Sequence, residues 1–174
     1  MKVLIQRVSE ASVDIQGERV AQIGQGLLVL LGITHTDTAA DVEKLAAKIP
    51  ALRIFEDEKG LMNKSVMDIS GSLIVVSQFT LYADTRKGNR PSFIEAARPE
   101  QAEPLYEKLV EKLRAIMGVA RVQTGRFGSE MKVRLLNDGP VTVELRTDRN
   151  SPGMSLPNLS DERSMVHACS MEIL

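Results

Sequence analysis

The amino-acid sequence predicts a single domain of mixed α/β class, mainly β, in which a β-barrel-like sheet is flanked by helices. Most apolar runs are short and end at turn residues, which is typical of strands. Only two segments place apolar side chains at the spacing of a helix, and they are far apart in the chain. The 174 residues are enough for one domain with a substantial core. We therefore expect strands to build the core and the two helices to cover it.

Strand patterns dominate the first third of the chain. Apolar residues recur among polar ones over residues 3–8 and alternate with them over 12–16. Gly17-Glu18 is expected to turn the chain into a strand over residues 19–23. Residues 26–33 are continuously apolar, which predicts a central strand covered on both faces.

Two segments predict helices. The first begins near Asp37 or Thr38, either of which can cap it, and Pro50 ends or kinks it because proline has no N–H and clashes with the preceding turn. The second spans residues 99–117, with a clean apolar stripe at 3.6 spacing, and Gly118 is its natural end.

The remaining predicted strands cover residues 53–56, 73–81, 119–124, 131–136 and 141–147.

Two connections and the C-terminal segment complete the chain. Residues 57–60 are predicted to form a turn and residues 83–91 a polar loop. After residue 147 serine and proline become frequent and periodicity is weak. We predict a domain over residues 1–147 and a C-terminal extension over residues 148–174, mobile or packed on the surface, with a short strand or helix over residues 165–174.

Composition excludes several classes of protein. The net charge is -1, from 22 basic and 23 acidic side chains, which argues against binding nucleic acid by bulk electrostatics but leaves room for a local basic patch. The single cysteine, Cys169, permits no internal disulfide and no thiolate zinc cluster. His35 and Asp37 come nearest to a metal pair, and a capping turn explains them better, so no metal is predicted. The N-terminus lacks the apolar core of a signal peptide and no apolar run is long enough to span a membrane, which predicts a cytoplasmic protein.

Polar residues follow the apolar run of residues 73–76. Ser77, Gln78 and Thr80 continue a strand that is otherwise buried, and each buried polar group needs a hydrogen-bond partner. Either the strand leaves the core here, or the segment is a site. A hydroxyl attacks a carbonyl only when a base takes its proton, and the two histidines, His35 and His167, stand in no recognisable triad context. The composition therefore favours groups that position a substrate or stabilise an oxyanion.

A second polar segment, residues 137–142, is predicted to form a turn between two strands. Its Gly139-Pro140 pair is explained by an ordinary turn. The sharper interpretation is a cis peptide bond, which occurs essentially before proline. A rigid Gly139 carbonyl would then accept a hydrogen bond from an ammonium group and leave no room for a wrongly placed side chain. If this segment meets residues 77–81 in space, the two form one site.

Two further groups also admit two interpretations. Arg86, Lys87 and Arg90 are either a solvated loop or a set of partners for the phosphates of an RNA end. Phe79 and Phe93 either pack in the core, which is expected for at least one of them, or stack on a base.

Taken together, these segments resemble the D-aminoacyl-tRNA deacylase (D-Tyr-tRNA deacylase) family. Ser77-Gln78-Phe79-Thr80-Leu81 and Asn137-Asp138-Gly139-Pro140-Val141-Thr142 look like its two signature motifs. The similarity covers about residues 1–147 and extends to the segments Gln6-Arg7-Val8 with Ala11-Ser12-Val13, Arg90-Pro91-Ser92-Phe93 and Gln123-Thr124-Gly125-Arg126-Phe127. Either motif alone would be modest evidence, whereas both in order with these segments are highly specific.

The resemblance implies an activity and an assembly. The reaction would be hydrolysis of the ester that joins a D-amino acid, or mischarged glycine, to the terminal ribose of tRNA. The protein would be a homodimer of β-barrels with helices packed outside and with active sites at the dimer interface. Its partner would be the 3′ end of aminoacyl-tRNA, neither DNA nor a membrane, and it would use no metal or organic cofactor.

The resemblance also implies roles for the residues around Thr80. Thr80 matches a position once regarded as a nucleophile, but a positioning role is preferred because no base is apparent and the terminal ribose has a neighbouring 2′-OH. Backbone N–H groups around Phe79 and Thr80 would stabilise the oxyanion, so these two are the predicted catalytic residues. Ser77, Gln78 and Phe79 would hold the terminal adenosine.

The second motif and its neighbours would select the amino acid. Met131 matches a methionine that lines the family's pocket, and Arg7 matches an arginine near the Gly-Pro turn. Together with Asn137, these are the other predicted substrate-binding residues. Gly139-Pro140 matches the Gly-cisPro motif, which enters the partner subunit's pocket and rejects L-amino acids.

Two other functions are compatible with the sequence. One is a non-catalytic module that binds the tRNA 3′ end without turnover, and the other is a structural dimer protein. The intact polar positions of both motifs favour the enzyme.

Overall fold

The fold is described from a computed structural model of the chain. The structure describes residues 1–147, so the predicted extension over residues 148–174, with the element expected over residues 165–174, lies outside the described residues.

One curved sheet forms the body of the domain. Its strands are β1 Lys2–Ile15, β2 Glu18–Ile23, β3 Gly26–Gly32, β6 Ser72–Ser77, β7 Val122–Thr124 and β8 Lys132–Arg146. Their order in the sheet is β2, β1, β3, β6, β7, and β8 pairs with the other edge of the long strand β1. A separate hairpin joins β4, Phe55–Glu56, to β5, Met62–Lys64. The pairs β3–β6 and β6–β7 are parallel, so their carboxyl ends lie at one edge of the sheet.

A side chain brings the two ends of the strand order together. The Gln123 carboxamide on β7 accepts from the backbone N–H of Gln22 on β2 and donates to the Gln22 carbonyl, both at 2.7 Å. The amide thus replaces the pair of backbone bonds that a neighbouring strand would make. The predicted barrel-like sheet of a mixed, mainly β domain is confirmed.

Two apolar clusters cover the faces of the sheet. The larger lies between the sheet and the helices and includes Leu27, Val29 and Leu31 of β3. The smaller fills the other face and includes Leu28 and residues of β1, β2 and β6. Strand β3 is therefore buried on both faces, as its unbroken apolar run predicts.

Both predicted helices are present. Helix α1, Ala39–Ala51, is capped by Thr38, whose backbone N–H and hydroxyl donate to the Asp41 carboxylate at 2.9 and 3.0 Å. It ends one residue after Pro50. Helix α2, Pro99–Met117, has the predicted bounds, and Gly118 ends it with φ 94°, a left-handed value that glycine adopts without strain.

The structure corrects the bounds of several predicted strands, and the strand expected over residues 53–56 covers only Phe55–Glu56. The strand expected over residues 73–81 ends at Ser77, and residues 79–82 form a 3-10 turn. The strand expected over residues 119–124 begins at Val122, after a second 3-10 turn. The strands expected over residues 131–136 and 141–147 are one strand, β8, because both halves pair with the same long β1.

The segment predicted as a turn is a bulge in β8. Val8 of β1 pairs with Asn137 and Gln6 pairs with Thr142, so β8 has additional residues at this place that the ladder does not pair. We call residues 138–141 the Gly-Pro bulge.

Among residues 1–147, no helix is long and apolar enough to cross a membrane.

Candidate active site

The first polar segment begins where β6 leaves the sheet. The register of β3 and β6 ends with Leu31 opposite Ser77, and the Gln78 N–H donates to the Leu31 carbonyl at 2.7 Å. The chain then turns tightly against β3, where a Cβ on Gly32 would lie 3.0 Å from the Leu81 Cβ and 3.1 Å from the Gln78 carbonyl oxygen. Glycine is therefore the residue that lets the turn pack against the strand. The result is a polar turn at the carboxyl edge of a parallel pair of strands.

The Thr80 hydroxyl lies on this turn beside an amide. It accepts a hydrogen bond from Gln78 Nε2 at 2.5 Å, and Thr80 is exposed to solvent. His35 is the histidine of the described residues that could serve as a base, and its ring instead contacts the Ile94 carbonyl at 2.8 Å. Since a carboxamide takes no proton from a hydroxyl at neutral pH, this arrangement orients the Thr80 hydroxyl rather than activating it.

A cleft of about 660 Å³ opens beside the turn. Four predicted site residues line it: Ser77, Gln78, Phe79 and Met131. Its base consists largely of apolar side chains, which include Leu31 and Val76 of the sheet, Ala102 of α2 and Phe127 of the connection between β7 and β8. A cleft with an apolar base and a few polar groups at one side is typical of sites for small molecules or for one end of a polymer.

Two aromatic rings stand at the cleft. Phe79 and Phe93 both line it, and their ring centroids are 5.2 Å apart in an edge-to-face arrangement. Phe79 is 57% exposed and Phe93 is partly buried. The expectation that at least one of them packs in the core is wrong, and an exposed ring beside a cleft is suited to stacking on a base.

Met131 is positioned by a glycine. A Cβ on Gly125 would lie 2.3 Å from Met131 Sδ, so the thioether packs against a backbone that has no side chain. In the sequence, Gly125 stands out only as a member of the segment of residues 123–127, which lies between the two motifs. Residue type and spacing do not reveal this contact, because it depends on the conformation of the connection between β7 and β8, which begins at Gly125 and ends at Met131.

The base of the cleft has a neutral phenol beneath it. The Tyr106 hydroxyl donates to the Val75 carbonyl at 2.9 Å, and its ring packs on Phe127 with centroids 5.7 Å apart. Burial raises the pKa of Tyr106 to about 12, so the hydroxyl keeps its proton at physiological pH. Tyr106 therefore supports Phe127, which lines the cleft.

The other predicted residues lie at the Gly-Pro bulge. Arg7, which is 5% exposed, donates from Nε to the Asp138 carbonyl at 3.0 Å and from Nη1 to the Ile54 carbonyl at 2.7 Å. Its Nε is also 3.1 Å from Asp138 Oδ2. The guanidinium therefore fixes the start of the bulge to the β4 region.

The two central residues of the bulge are exposed to solvent. The peptide bond between Gly139 and Pro140 is cis, as predicted, and both residues are exposed. Asn137, also exposed, lies beside them, since its Nδ2 would be 3.0 Å from a Cβ on Gly139.

The predicted site residues thus form two groups within one chain. Ser77, Gln78, Phe79 and Met131 line the cleft, and Thr80 is bonded to Gln78. The remaining residues do not line that cleft: Arg7, Asn137, Gly139 and Pro140. Within the single chain, the two polar segments do not share a cleft.

The His35–Asp37 pair is explained by structure. Asp37 accepts from the N-terminal ammonium at 2.5 Å and from the Thr34 N–H at 2.7 Å, while His35 contacts the Ile94 carbonyl. Within residues 1–147, no three His, Cys, Asp or Glu side chains are grouped so that they could hold a metal ion.

Comparison with known proteins gives consistent matches. A family described as D-Tyr-tRNA(Tyr) deacylase matches residues 4–146. The D-aminoacyl-tRNA deacylase of Brevibacillus brevis is 62% identical over 143 residues, which is 82% of this chain and 97% of the relative. The enzyme of the same name from Chloroherpeton thalassium is 56% identical over 147 residues, which is 84% of this chain and 96% of the relative.

Solved structures share the fold. One named c-Myc DNA Unwinding Element Binding Protein has a TM-score of 0.81 and 46% identity, and the match covers 85% of this chain and 99% of that chain. Another, a probable eukaryotic D-amino acid tRNA deacylase, has a TM-score of 0.69 over 83% of this chain and 97% of that chain. At 18% identity it supports the fold alone.

Proposed function

The chain belongs to the D-Tyr-tRNA(Tyr) deacylase family, and from this membership we infer that it hydrolyses the ester between a D-amino acid and the terminal ribose of tRNA. Water adds to the ester carbonyl, the bond to the ribose oxygen breaks, and that oxygen takes up a proton. The products are free D-amino acid and tRNA. The observation that supports the cleft as the active site is its lining: Ser77, Gln78 and Phe79 of the first signature segment lie there beside an apolar base.

The terminal adenosine is proposed to bind at Ser77, Gln78 and Phe79. All three line the cleft, and Phe79 offers an exposed ring beside Phe93 on which a base can stack. The amino acid then extends toward Met131, across the apolar base.

Catalysis is proposed to depend on backbone donors and on positioning. In the 3-10 turn the first backbone bond runs from the Leu81 N–H to the Gln78 carbonyl, and the N–H groups of Phe79 and Thr80 precede it. The first N–H groups of a helical turn have no partner within the turn, which makes them suitable donors to an oxyanion. The Thr80 hydroxyl, bonded to Gln78, orients substrate, and the 2′-OH of the ribose assists water. No metal or organic cofactor takes part in this scheme.

Chiral selection is proposed to come from a second copy of the chain. In a homodimer, Gly139 and Pro140 of one subunit would enter the cleft of the other and block the side chain of an L-amino acid. Three features support this: Gly139 and Pro140 are exposed, Arg7 anchors the bulge, and the bulge does not line the cleft of its own chain. Leu136, which is 56% exposed on the same strand, offers apolar surface for such a contact. Glycine has no side chain to block, so glycyl-tRNA is expected to be a substrate as well.

The remaining assignments follow from this activity. We propose that residues 1–147 form the catalytic unit, because the relatives match almost their whole length to about this part of the chain. Aminoacyl-tRNA, and not DNA, is the proposed partner, and the cytoplasm, where tRNA is charged, is the proposed location.

The chiral deacylation assay tests the function. Release of tyrosine from D-Tyr-tRNA with sparing of L-Tyr-tRNA is the expected result. Equal turnover of the two would refute the chiral role, and tRNA affinity without any deacylation would identify a binding module instead.

Subunit mixing tests the shared site. Phe79→Ala damages the cleft, and Gly139→Trp damages the bulge. If the site is shared, each mixed dimer has one site with both parts intact, and random mixing should restore about a quarter of wild-type activity. If cleft and bulge act within one chain, mixing the two inactive variants restores nothing.

A further inference from the structure

The loop of residues 83–92, which we call the basic loop, connects two segments that line the cleft. It begins directly after the 3-10 turn that carries Phe79 and Thr80, and it ends directly before Phe93. The two phenylalanines line the cleft and contact each other. Both ends of the basic loop are therefore fixed beside the proposed adenosine site.

Backbone hydrogen bonds close the base of the basic loop. The Asp84 N–H donates to the Ser92 carbonyl at 2.8 Å, and the Ser92 N–H donates to the Asp84 carbonyl at 2.9 Å. This antiparallel bridge holds the two ends of the loop next to each other. The residues between the bridge partners are exposed to solvent.

One cation of the loop has a structural role. Arg86 donates from Nε and Nη2 to the Asp84 carboxylate at 2.8 and 2.7 Å, and its backbone N–H donates to the same carboxylate at 3.0 Å. This pairing lowers the pKa of Asp84 to about 2, so the carboxylate stays ionised at any physiological pH. Asp84 is the only acidic residue of the basic loop, and it is engaged by Arg86.

Two cations are left with no such partner. Lys87 and Arg90 are exposed, and within residues 1–147 neither forms an ion pair. The whole chain carries a net charge of -1, so their positive charge is local and does not reflect a generally basic surface. A pair of unneutralised cations on a loop that connects the exposed Phe79 turn to Phe93 suits a single-stranded nucleic acid, which offers phosphates and bases at adjacent positions.

We propose that Lys87 and Arg90 bind the phosphates of the single-stranded tRNA 3′ end, upstream of the terminal adenosine. The proposal rests on the proposed function, since it places the adenosine at Phe79. It adds a binding surface that lies outside the cleft. This surface holds the polymer, whereas the cleft holds the reacting ester. Removing these cations should weaken binding of the whole tRNA and leave the chemistry on the terminal nucleoside unchanged.

Two substrates separate these effects. One is D-tyrosyl-tRNA, and the other is the D-tyrosyl ester of adenosine, which has the reacting bond and the base but no phosphate. The test variant is Lys87→Ala/Arg90→Ala. The matched control is Lys44→Ala/Lys48→Ala, which removes the same charge from the exposed face of α1, where no residue lines the cleft. Thermal unfolding verifies that each variant is folded.

The expected result is a decrease confined to the polymer substrate. For the test variant, kcat/KM on D-tyrosyl-tRNA should fall roughly tenfold at low salt, as expected when two exposed charge-assisted hydrogen bonds are removed. The slope of log kcat/KM against log salt should become shallower by about 0.7 for each phosphate that the protein no longer neutralises. Activity on the adenosine ester should equal that of wild type, and the control should equal wild type on both substrates.

Two results would overturn the proposal. One is a test variant with the wild-type salt slope, and the other is an equal decrease on both substrates, which would place the effect at the reacting bond. Binding of uncharged tRNA at several salt concentrations gives an independent reading. If the wild type deacylates nothing, the proposed function fails, yet the basic loop is still judged by whether the test variant loses affinity for uncharged tRNA.

Discussion

Replacing Arg7 by alanine tests whether a buried guanidinium holds the Gly-Pro bulge in place. Arg7 lies on β1 opposite the bulge and reaches in two directions, to the Asp138 carbonyl at 3.0 Å and to the Ile54 carbonyl at 2.7 Å. Its side chain is 6% exposed, whereas that of Asp138 is 41% exposed. The substitution removes both links and leaves the bulge attached to the sheet only by its ends.

The magnitude follows from what the truncation leaves behind. Each carbonyl that loses a charged donor in a buried place costs about 1–3 kcal/mol. Water can replace Arg7 at the partly exposed Asp138 side but less readily at Ile54, so we expect a total loss of about 2–4 kcal/mol. At about 2–4 °C per kcal/mol for a chain of this size, Tm should fall by roughly 4–16 °C.

The assay measures two quantities for each variant, which are the Tm and the preference for the D- over the L-aminoacyl substrate. Thermal unfolding is measured at one protein concentration, because association of subunits would otherwise shift Tm. The ratio of kcat/KM for D-Tyr-tRNA to that for L-Tyr-tRNA is measured on the same samples, and we expect it to fall because a loosened bulge excludes L-side chains less well. Arg7→Lys, which keeps the charge but lacks the fork, should give intermediate values. Arg19→Ala, whose guanidinium pairs with Asp14 at the surface, is the matched control and should leave both quantities nearly unchanged.

Two outcomes bear directly on the reasoning. If Arg7→Ala keeps the wild-type Tm, the two carbonyl hydrogen bonds do not stabilise the fold as argued. If Tm falls while the D-to-L ratio stays that of wild type, Arg7 supports the fold and the bulge does not select the enantiomer through it.

Four further substitutions test the site. Thr80→Ala should keep at least roughly a tenth of wild-type kcat, because the hydroxyl contacts an amide and no base; complete loss of kcat with unchanged KM would identify a nucleophile. Gly139→Ala should lower the D-to-L ratio by adding a methyl group to the exposed bulge while the circular dichroism spectrum stays unchanged, and a wild-type ratio would argue against the bulge as the selecting element. Gly125→Ala would place a Cβ 2.3 Å from Met131 Sδ and so push the thioether into the cleft; KM should rise more for D-Tyr-tRNA than for glycyl-tRNA, and equal changes would contradict this. Tyr106→Phe should lower the unfolding free energy by about 1–3 kcal/mol through loss of a buried hydrogen bond. Because burial raises the pKa of Tyr106 from 10.0 to about 12, wild-type stability should decline as pH rises between these values, and the Phe variant should lack that part of the decline in urea titrations.

The local elements of the fold were predictable because their signals are local. The stripe of residues 99–117 and the following Gly118 define α2, since side chains at 3.6 spacing face one partner and glycine accepts the left-handed cap. The unbroken apolar run of β3 predicted a strand buried on both faces for the same reason. In the site, Ser77, Gln78 and Phe79 lie together at the cleft because they follow one another in the chain.

Pairing between distant strands decided what the periodicity did not show. Strand β6 ends at Ser77 because the chain then enters a 3-10 turn that packs against Gly32, which a run of side-chain types does not reveal. The halves of β8 are one strand because both pair with β1, although the polar residues between them look like a turn.

The amino-acid order by itself determined the family, the helices, the central strand and the chemical character of the site, because these depend on residue type and short spacing. Only the tertiary structure decided that Met131 packs on Gly125, that Gln123 joins β7 to β2, and that the Gly-Pro bulge lies outside the cleft of its own chain. The first depends on the conformation of the connection between β7 and β8. The other two depend on register, which is set by contacts between residues far apart in the chain.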